Sequence, residues 1–321
     1  MNTLNKSFLL GIAAALAATL TPAHAAWPER PVKIVVPFPA GGASDLTARA
    51  VGQTLSRQLG QPVLIENRPG ASGGVAAQAV MSAPADGYTL LWGSASMVAL
   101  PYVLKKPPYA SMTDLAPVAA VGRLPFCLFV HSSVNASNLA QFTAQARQSP
   151  GKLNFATGSL SEHIAATRLN AASGAQMQHV PYKGGAQLMP DLAEGRVQVN
   201  IGPCSTGMAF VKAGKLRVLA TLLPTRSALL PEVPTAAEAG MPELVVPTWQ
   251  ALLAPPRTSP EVIERMASEV QAALKDPETL AQLERLGVQP DWAGPAALGA
   301  RIRQEAPQWE RFVRQSGIEA E

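Results

Sequence analysis

Three stretches rich in glycine and serine are where this chain could do chemistry. Pro39-Ala40-Gly41-Gly42-Ala43-Ser44-Asp45 combines glycines, which let a backbone approach a ligand closely, with a serine suited to cap a helix. Ala156-Thr157-Gly158-Ser159-Leu160-Ser161 repeats the pattern, with Glu162 and His163 following. Where such a stretch leads from a strand into a helix, free N–H groups and the positive helix end attract an anion without any arginine. Two capped turns with no ligand account for the same residues. Asp45 could order its loop or meet a ligand ammonium group, and the helix dipole alone also favours an acid there. His163 could shuttle a proton or simply pack. Tyr182-Lys183-Gly184-Gly185 precedes another helical stretch and could line a cleft, or Lys183 could be a solvated surface charge.

The third stretch, Gly70-Ala71-Ser72-Gly73-Gly74, fits the G-x-S-x-G elbow of serine hydrolases, with His131, His163 and His179 downstream as bases. That elbow needs its strand to run directly into the serine, and Asn67-Arg68-Pro69 intervenes, so a hydrolase built on Ser72 is the weaker alternative. Ser149-Pro150-Gly151-Lys152 has S-x-x-K spacing, but its Pro and Gly favour a turn where that motif needs a helix. No H-E-x-x-H, Walker or G-x-G-x-x-G motif occurs, so neither a metal nor a cofactor is expected.

The elements that must hold these stretches follow from periodicity. Val32 to Val36 reads as a buried strand, and Ser44 opens a helix with apolar positions Leu46, Ala50, Leu55 and Leu59 before Gly60 stops it. Pro62 to Glu66 and Tyr88 to Trp92 are further strands, the latter entering Gly93-Ser94-Ala95-Ser96, with a helix over Ser72 to Met81 between them. Phe126 to Val130, Leu153 to Ala156, Gln178 to Val180, Val197 to Ile201 and Leu216 to Thr221 continue the rhythm. Strand–helix alternation implies parallel pairing flanked by helices. Pro260 to Lys275, Pro277 to Leu286 and Pro295 to Gln315 read as helices opened by proline. A helical tail needs a sheet to pack on, and Leu252-Leu253 leads back to the first one. The expectation is a discontinuous first domain, residues 26–120 plus 247–321, with 121–246 inserted as the second and hinges near 116–124 and 244–254.

Composition narrows the function. The 321 residues are 47% apolar and 15% charged, with a net charge of +4 spread along the chain, which excludes disorder and makes nucleic acid an unsuitable partner. Lys6, the apolar run Phe8 to Leu20 and Ala23-His24-Ala25 form an export signal cleaved after Ala25. Nothing downstream approaches the roughly eighteen apolar residues of a membrane span. A periplasmic location follows, without membrane insertion of the mature chain. The oxidising compartment permits a bond between Cys127 and Cys204, and the spacing leaves bonded and free forms open.

The mature sequence resembles the Bug-type extracytoplasmic solute receptors, the substrate-binding components of tripartite tricarboxylate transporters. The resemblance rests on Trp27-Pro28-x-Arg30-Pro31-Val32, Pro37-Phe38-Pro39-Ala40-Gly41-Gly42-x-x-Asp45, Glu66-Asn67-Arg68-Pro69-Gly70-Ala71, Asp86-Gly87-Tyr88-Thr89-Leu90-Leu91, His179-Val180-Pro181-Tyr182-Lys183-Gly184 and Val233-Pro234-Thr235-x-x-Glu238-x-Gly240. It implies a two-domain Venus-flytrap fold of the type II-like periplasmic binding protein kind, each domain a mixed sheet flanked by helices, with the ligand between them. It implies a small carboxylate ligand (an amino acid, a di- or tricarboxylate or an aromatic acid), membrane transporter subunits as partners, a monomer and no catalysis. A sensor subunit for a membrane signalling partner is the alternative. The facing loops it implies are Phe38 to Asp45 and Thr157 to Ser161, and with the residues read above they give a site of Phe38, Pro39, Ala40, Gly41, Gly42 and Asp45 facing Thr157, Gly158, Ser159 and Ser161, to which His163, Gly93, Ser94, Tyr182 and Lys183 are added from their places in the chain. The second loop is about two residues shorter than the family's S-P-G-x-G-T form, with Leu160 in its place, which alters the pocket's volume and one backbone donor.

Overall fold

The computed structural model describes residues 27–223, 225–227, 230–318 and 320. The expected export signal, 1–25, lies outside them. Two sheets carry the chain. Strands β1 (Val32–Val36), β2 (Val63–Asn67), β3 (Thr89–Ser94) and β4 (Ala116–Arg123) belong to the first; β5 (Phe126–His131), β6 (Asn154–Thr157), β7 (Gln178–Pro181), β8 (Val199–Pro203) and β9 (Leu216–Thr221) form the second; β10 (Trp249–Ala254) and β11 (Gln289–Ala293) return to the first. The orders are β11-β4-β10-β3-β1-β2 and β7-β6-β8-β5-β9.

Both sheets are mixed. β2-β1-β3 and β7-β6-β8 pair in parallel, as strand–helix–strand crossovers require, while β10, β4 and β11, like β5 and β9, pair antiparallel. Parts of the expected hinge segments, 116–123 and 249–254, form β4 and β10, neighbours deep in the first sheet. β4 therefore carries the first sheet to Arg123, and the chain crosses at Leu124-Pro125 before entering the second.

Helices cover both sheets. α1 (Ala43–Leu59) packs on β1 and β2, burying Ala48, Val51, Leu55 and Leu59 at helical spacing before Gly60, at φ 65°, ends it. Leu46, expected on that buried face, is instead 40% exposed: the stripe runs through Thr47 and Ala48, one step around the helix. α2 (Gly74–Met81) and α3 (Leu100–Val103) follow. The second sheet carries α4 (Leu139–Gln148), α5 (Leu160–Ser173), α6 (Gly185–Ala193) and α7 (Cys204–Lys212). The tail supplies α8 (Pro260–Ala273), α9 (Pro277–Arg285) and α10 (Pro295–Ser316), each with proline in its first turn; Ser259 and Asp276 cap α8 and α9. α8 and α10 lie against β4, so the tail covers the first sheet.

Cys127 and Cys204 are bonded, with Cα atoms 4.9 Å apart, joining β5 to the start of α7 across 77 residues. Closing a loop of that length restricts the unfolded chain by about 4 kcal/mol in the chain-entropy account. The bond also fixes the strand-to-helix corner at Pro203. The Ser149–Lys152 stretch is a turn, closed by Lys152 N–H donating to the Ser149 carbonyl at 3.2 Å. Among the described residues no helix is long and apolar enough to cross a membrane.

Candidate functional site

The carboxyl ends of β1, β3, β6 and β8 and the opening residues of β10 border one cleft between the sheets. Loops after parallel strands gather there because each crossover helix starts at the strand's carboxyl end. Phe38, Pro39, Gly42, Ala43 and Ser44 come from the first loop and Ser94, Ala95 and Ser96 from the turn after β3. Gly158, Ser159, Ser161 and Glu162 follow β6, Gly184 to Gln187 open α6, and Thr248, Trp249 and Gln250 enter from β10. Neither α1 nor α6 has a side-chain cap at its N-terminus. Three helix starts without a side-chain cap border this space, α1 beside the first sheet and α6 and α7 beside the second, and their positive partial charge favours an anion there. Among its described lining residues there is no Lys, Arg or His.

The first loop is held by Asp45, which is 1% exposed. Its Oδ2 accepts the Gly41 N–H at 2.8 Å and Arg49 Nε–H at 3.0 Å; its Oδ1 accepts Asn67 Nδ2–H at 2.8 Å and pairs with Arg49 Nη2 at 3.0 Å. Burial alone would raise this carboxyl, and these bonds outweigh it, so Asp45 sits below the ordinary carboxylate value. These bonds are the ones the loop-ordering role needs: they tie Gly41, Asn67 and Arg49 to one carboxylate. Asn67 Nδ2 also donates to the Phe38 carbonyl at 3.0 Å, so strand β2 braces the same loop. Gly42 is extended (φ −78°, ψ 164°), and a Cβ there would meet only the Pro39 carbonyl oxygen, at 3.5 Å.

The second loop is packed against the start of α6. A Cβ on Gly158 would fall 2.6 Å from the Gly184 carbonyl carbon and 2.8 Å from the Gly185 nitrogen, so glycine is required by contact with backbone. A Cβ on Gly184 would lie 3.2 Å from Pro39 Cδ, which brings the first loop against the second body. Ser159 caps α5 by accepting the Glu162 N–H at 3.3 Å. Glu162, 4% exposed, accepts the Gly158 N–H at 2.7 Å and Asn200 Nδ2–H at 3.3 Å. Burial pushes its carboxyl up to about 7 against those bonds and the Ser159 hydroxyl. Glu162 thus keeps its proton to higher pH than an ordinary glutamate, in the wall of the cleft.

A second, larger recess lies behind the loops, lined by Phe38, the Gly70–Gly73 turn, Thr157 to Leu160, His163, His179, Tyr182 and Lys183. His163 and His179 stack with ring centroids 4.0 Å apart, and Thr157 Oγ1 lies 2.7 Å from His179 Nε2. Burial and the neighbouring His179 push His163 down to about 4, so it is neutral at pH 7. Ser72 sits at φ 53° in a short turn that follows β2 only after Asn67, so the strand does not run into the serine as a nucleophile elbow needs.

The site residues named from sequence therefore divide. Phe38, Pro39, Gly42, Ser94, Gly158, Ser159 and Ser161 border the cleft; Thr157, His163, Tyr182 and Lys183 border the recess with Phe38, Gly158 and Ser159. Ala40, Gly41, Asp45 and Gly93 border neither; Gly93 lies under Leu253 and Met112. Sequence reasoning missed Gln250, the one long polar residue in the otherwise apolar strand Trp249–Ala254, and the lining role of Glu162, whose place in a first helical turn has an ordinary explanation.

Comparison with known proteins fits this geometry. Residues 47–318 match the family described as tripartite tricarboxylate transporter family receptor. The protein BugT of Bordetella pertussis is 34% identical over 322 residues, covering 99% of each chain. The solved structure of the periplasmic binding protein BugD superposes with a TM-score of 0.86 at 30% identity, over 92% of this chain and 100% of that one. A structure from R. palustris with adipate gives 0.86 at 33% identity over the same shares. The chain belongs to the tripartite tricarboxylate transporter receptor family, whose members are solute-binding receptors and not enzymes.

Proposed function

We propose that the mature chain is a periplasmic receptor that captures a small carboxylate in the cleft between its sheets and presents it to membrane subunits of a tripartite transporter. The observation that carries this reading is the convergence of the uncapped α1 and α6 N-termini on one cleft without a lysine or arginine. The adipate in the R. palustris neighbour supports the ligand class. The chain is exported with cleavage after Ala25 and acts as a monomer. Its first domain comprises residues 26–123 and 247–321 and its second 124–246, three residues later than the sequence suggests because β4 runs to Arg123; the membership of the two sheets supports that division. The carboxylate lies against the Phe38–Ser44 and Gly158–Ser161 backbone, and contacts on both bodies favour the closed arrangement.

Gly42→Val tests the site. The extended backbone accepts a side chain and the space beside Gly42 is open to it, so the variant folds while its isopropyl group enters the cleft. Acids that raise the melting temperature of the parent protein should leave this variant's unchanged. Undiminished binding by a well-folded Gly42→Val protein would place the site elsewhere.

A further inference from the structure

Gln250 stands on β10 between β3 and β4, its backbone paired with Ser94 and Gly122, and is 1% exposed where the cleft meets the first sheet. Its Nε2 donates to Ser44 Oγ in the first turn of α1. Its Oε1 is buried and has no hydrogen-bond partner in the protein. Four other buried side-chain oxygens in that condition among the described residues, Gln145 Oε1, Thr167 Oγ1, Asn200 Oδ1 and Thr221 Oγ1, do not border the cleft; Gln250 does. A buried carbonyl oxygen left unpaired is costly, and its satisfaction by a ligand would be a strong source of selectivity.

The directions of these bonds give the cleft a polarity. Ser44 Oγ accepts from Gln250, which leaves the serine's own proton free to donate, and it sits among the free N–H groups at the start of α1. A carboxylate at that helix end meets donors only. The neighbouring Oε1 of the same glutamine offers an acceptor only. A ligand satisfying both must carry a proton-donating group close to its carboxylate, within the reach of one glutamine amide.

We propose that Gln250 is a specificity-determining residue, and that its free Oε1 selects acids bearing an O–H or N–H donor on the carbon next to the carboxylate over the same acids without it. The inference rests on the receptor reading above and deepens it.

The test is titration calorimetry of the mature protein with matched acids: butyrate, 2-hydroxybutyrate and 2-aminobutyrate; succinate, malate and aspartate; adipate and 2-aminoadipate. In at least one set the donor-bearing acid should bind about tenfold or more tightly than its parent. In the butyrate and succinate sets the hydroxy and amino arms show which donor is read. Gln250→Leu should bring the ratio within about threefold of one, and Gln250→Met, which keeps the side chain's length, should do the same if leucine perturbs the fold. Equal affinities in every set overturn the inference while leaving the receptor intact. A preference that survives both substitutions also overturns it, since a merely structural glutamine would alter overall affinity and not the ratio. If no acid of any set binds, this inference falls, and the receptor reading is decided separately by melting against the wider panel that includes aromatic acids.

Discussion

At the scale of single residues, the two buried acids of the site do opposite things because their surroundings differ. Asp45 has a guanidinium, an amide and a backbone N–H around it, so it stays ionised and holds the Phe38–Gly42 loop; the stability it adds is lost only as pH falls through a value below 3.8. Glu162 has polar hydrogen-bond donors but no cation, and its carboxyl is raised from 4.5 to about 7. The unfolded chain therefore releases this proton first, and the contribution to stability falls as pH rises from 4.5 to about 7, levelling off above. Glu162→Gln should remove that slope and raise stability on the alkaline side by about 3 kcal/mol, since each tenfold difference in proton affinity between the folded and unfolded chain corresponds to about 1.4 kcal/mol. It should also abolish the loss of carboxylate affinity expected as an ionised Glu162 comes to face an anionic ligand. Denaturation and ligand titration on both sides of neutrality check both effects; a slope unchanged in the variant would mean that Glu162 is ionised throughout.

At the scale of elements, the site depends on loops packed backbone to backbone. Gly158→Ala places a methyl group 2.6 Å from the Gly184 carbonyl carbon, and a contact with backbone cannot be relieved by a rotamer change. The loop after β6 and the start of α6 must then separate, with a cost of about 1–3 kcal/mol from overpacking and weaker ligand binding. Thermal melting with and without ligand reads both, and an unaltered protein would show that these loops are not held against each other. This dependence was partly legible in the chain. Gly41-Gly42 and Gly158-Ser159 announce helix starts, and most strands and all three tail helices fall within two or three residues of their sequence positions. Leu252-Leu253 marked β10, but β4, read as part of a hinge, was harder: it pairs antiparallel with β10 at separations above one hundred residues, and such a partner leaves no local periodicity. β11, Gln289-Pro290-Asp291-Trp292-Ala293, is a polar edge strand with a proline and lacks the apolar run that marks its neighbours. Gln250 was missed although its strand was expected at Leu252-Leu253, because its value depends on Ser44, two hundred residues away.

At the scale of the whole molecule, contacts between the two bodies set how closely the cleft shuts. Pro39 lies against Gly184 at the cleft, and farther out the Arg168 guanidinium of α5 covers the Phe312 ring of α10 at 4.3 Å. A ligand touching both bodies shifts the population towards the closed state by its differential affinity. All of this turns on the ligand's being recognised through its carboxylate by helix ends and not by a charged side chain. The decisive measurement is thermal melting of the mature protein against dicarboxylates, aromatic acids and amino acids, each paired with its fully amidated counterpart. An acid at a hundred times its dissociation constant stabilises the folded state by about 2.7 kcal/mol. Recognition by helix ends predicts a clear rise in melting temperature with at least one acid and none with its amide, whereas an equal rise with both, or none with any acid, would contradict it.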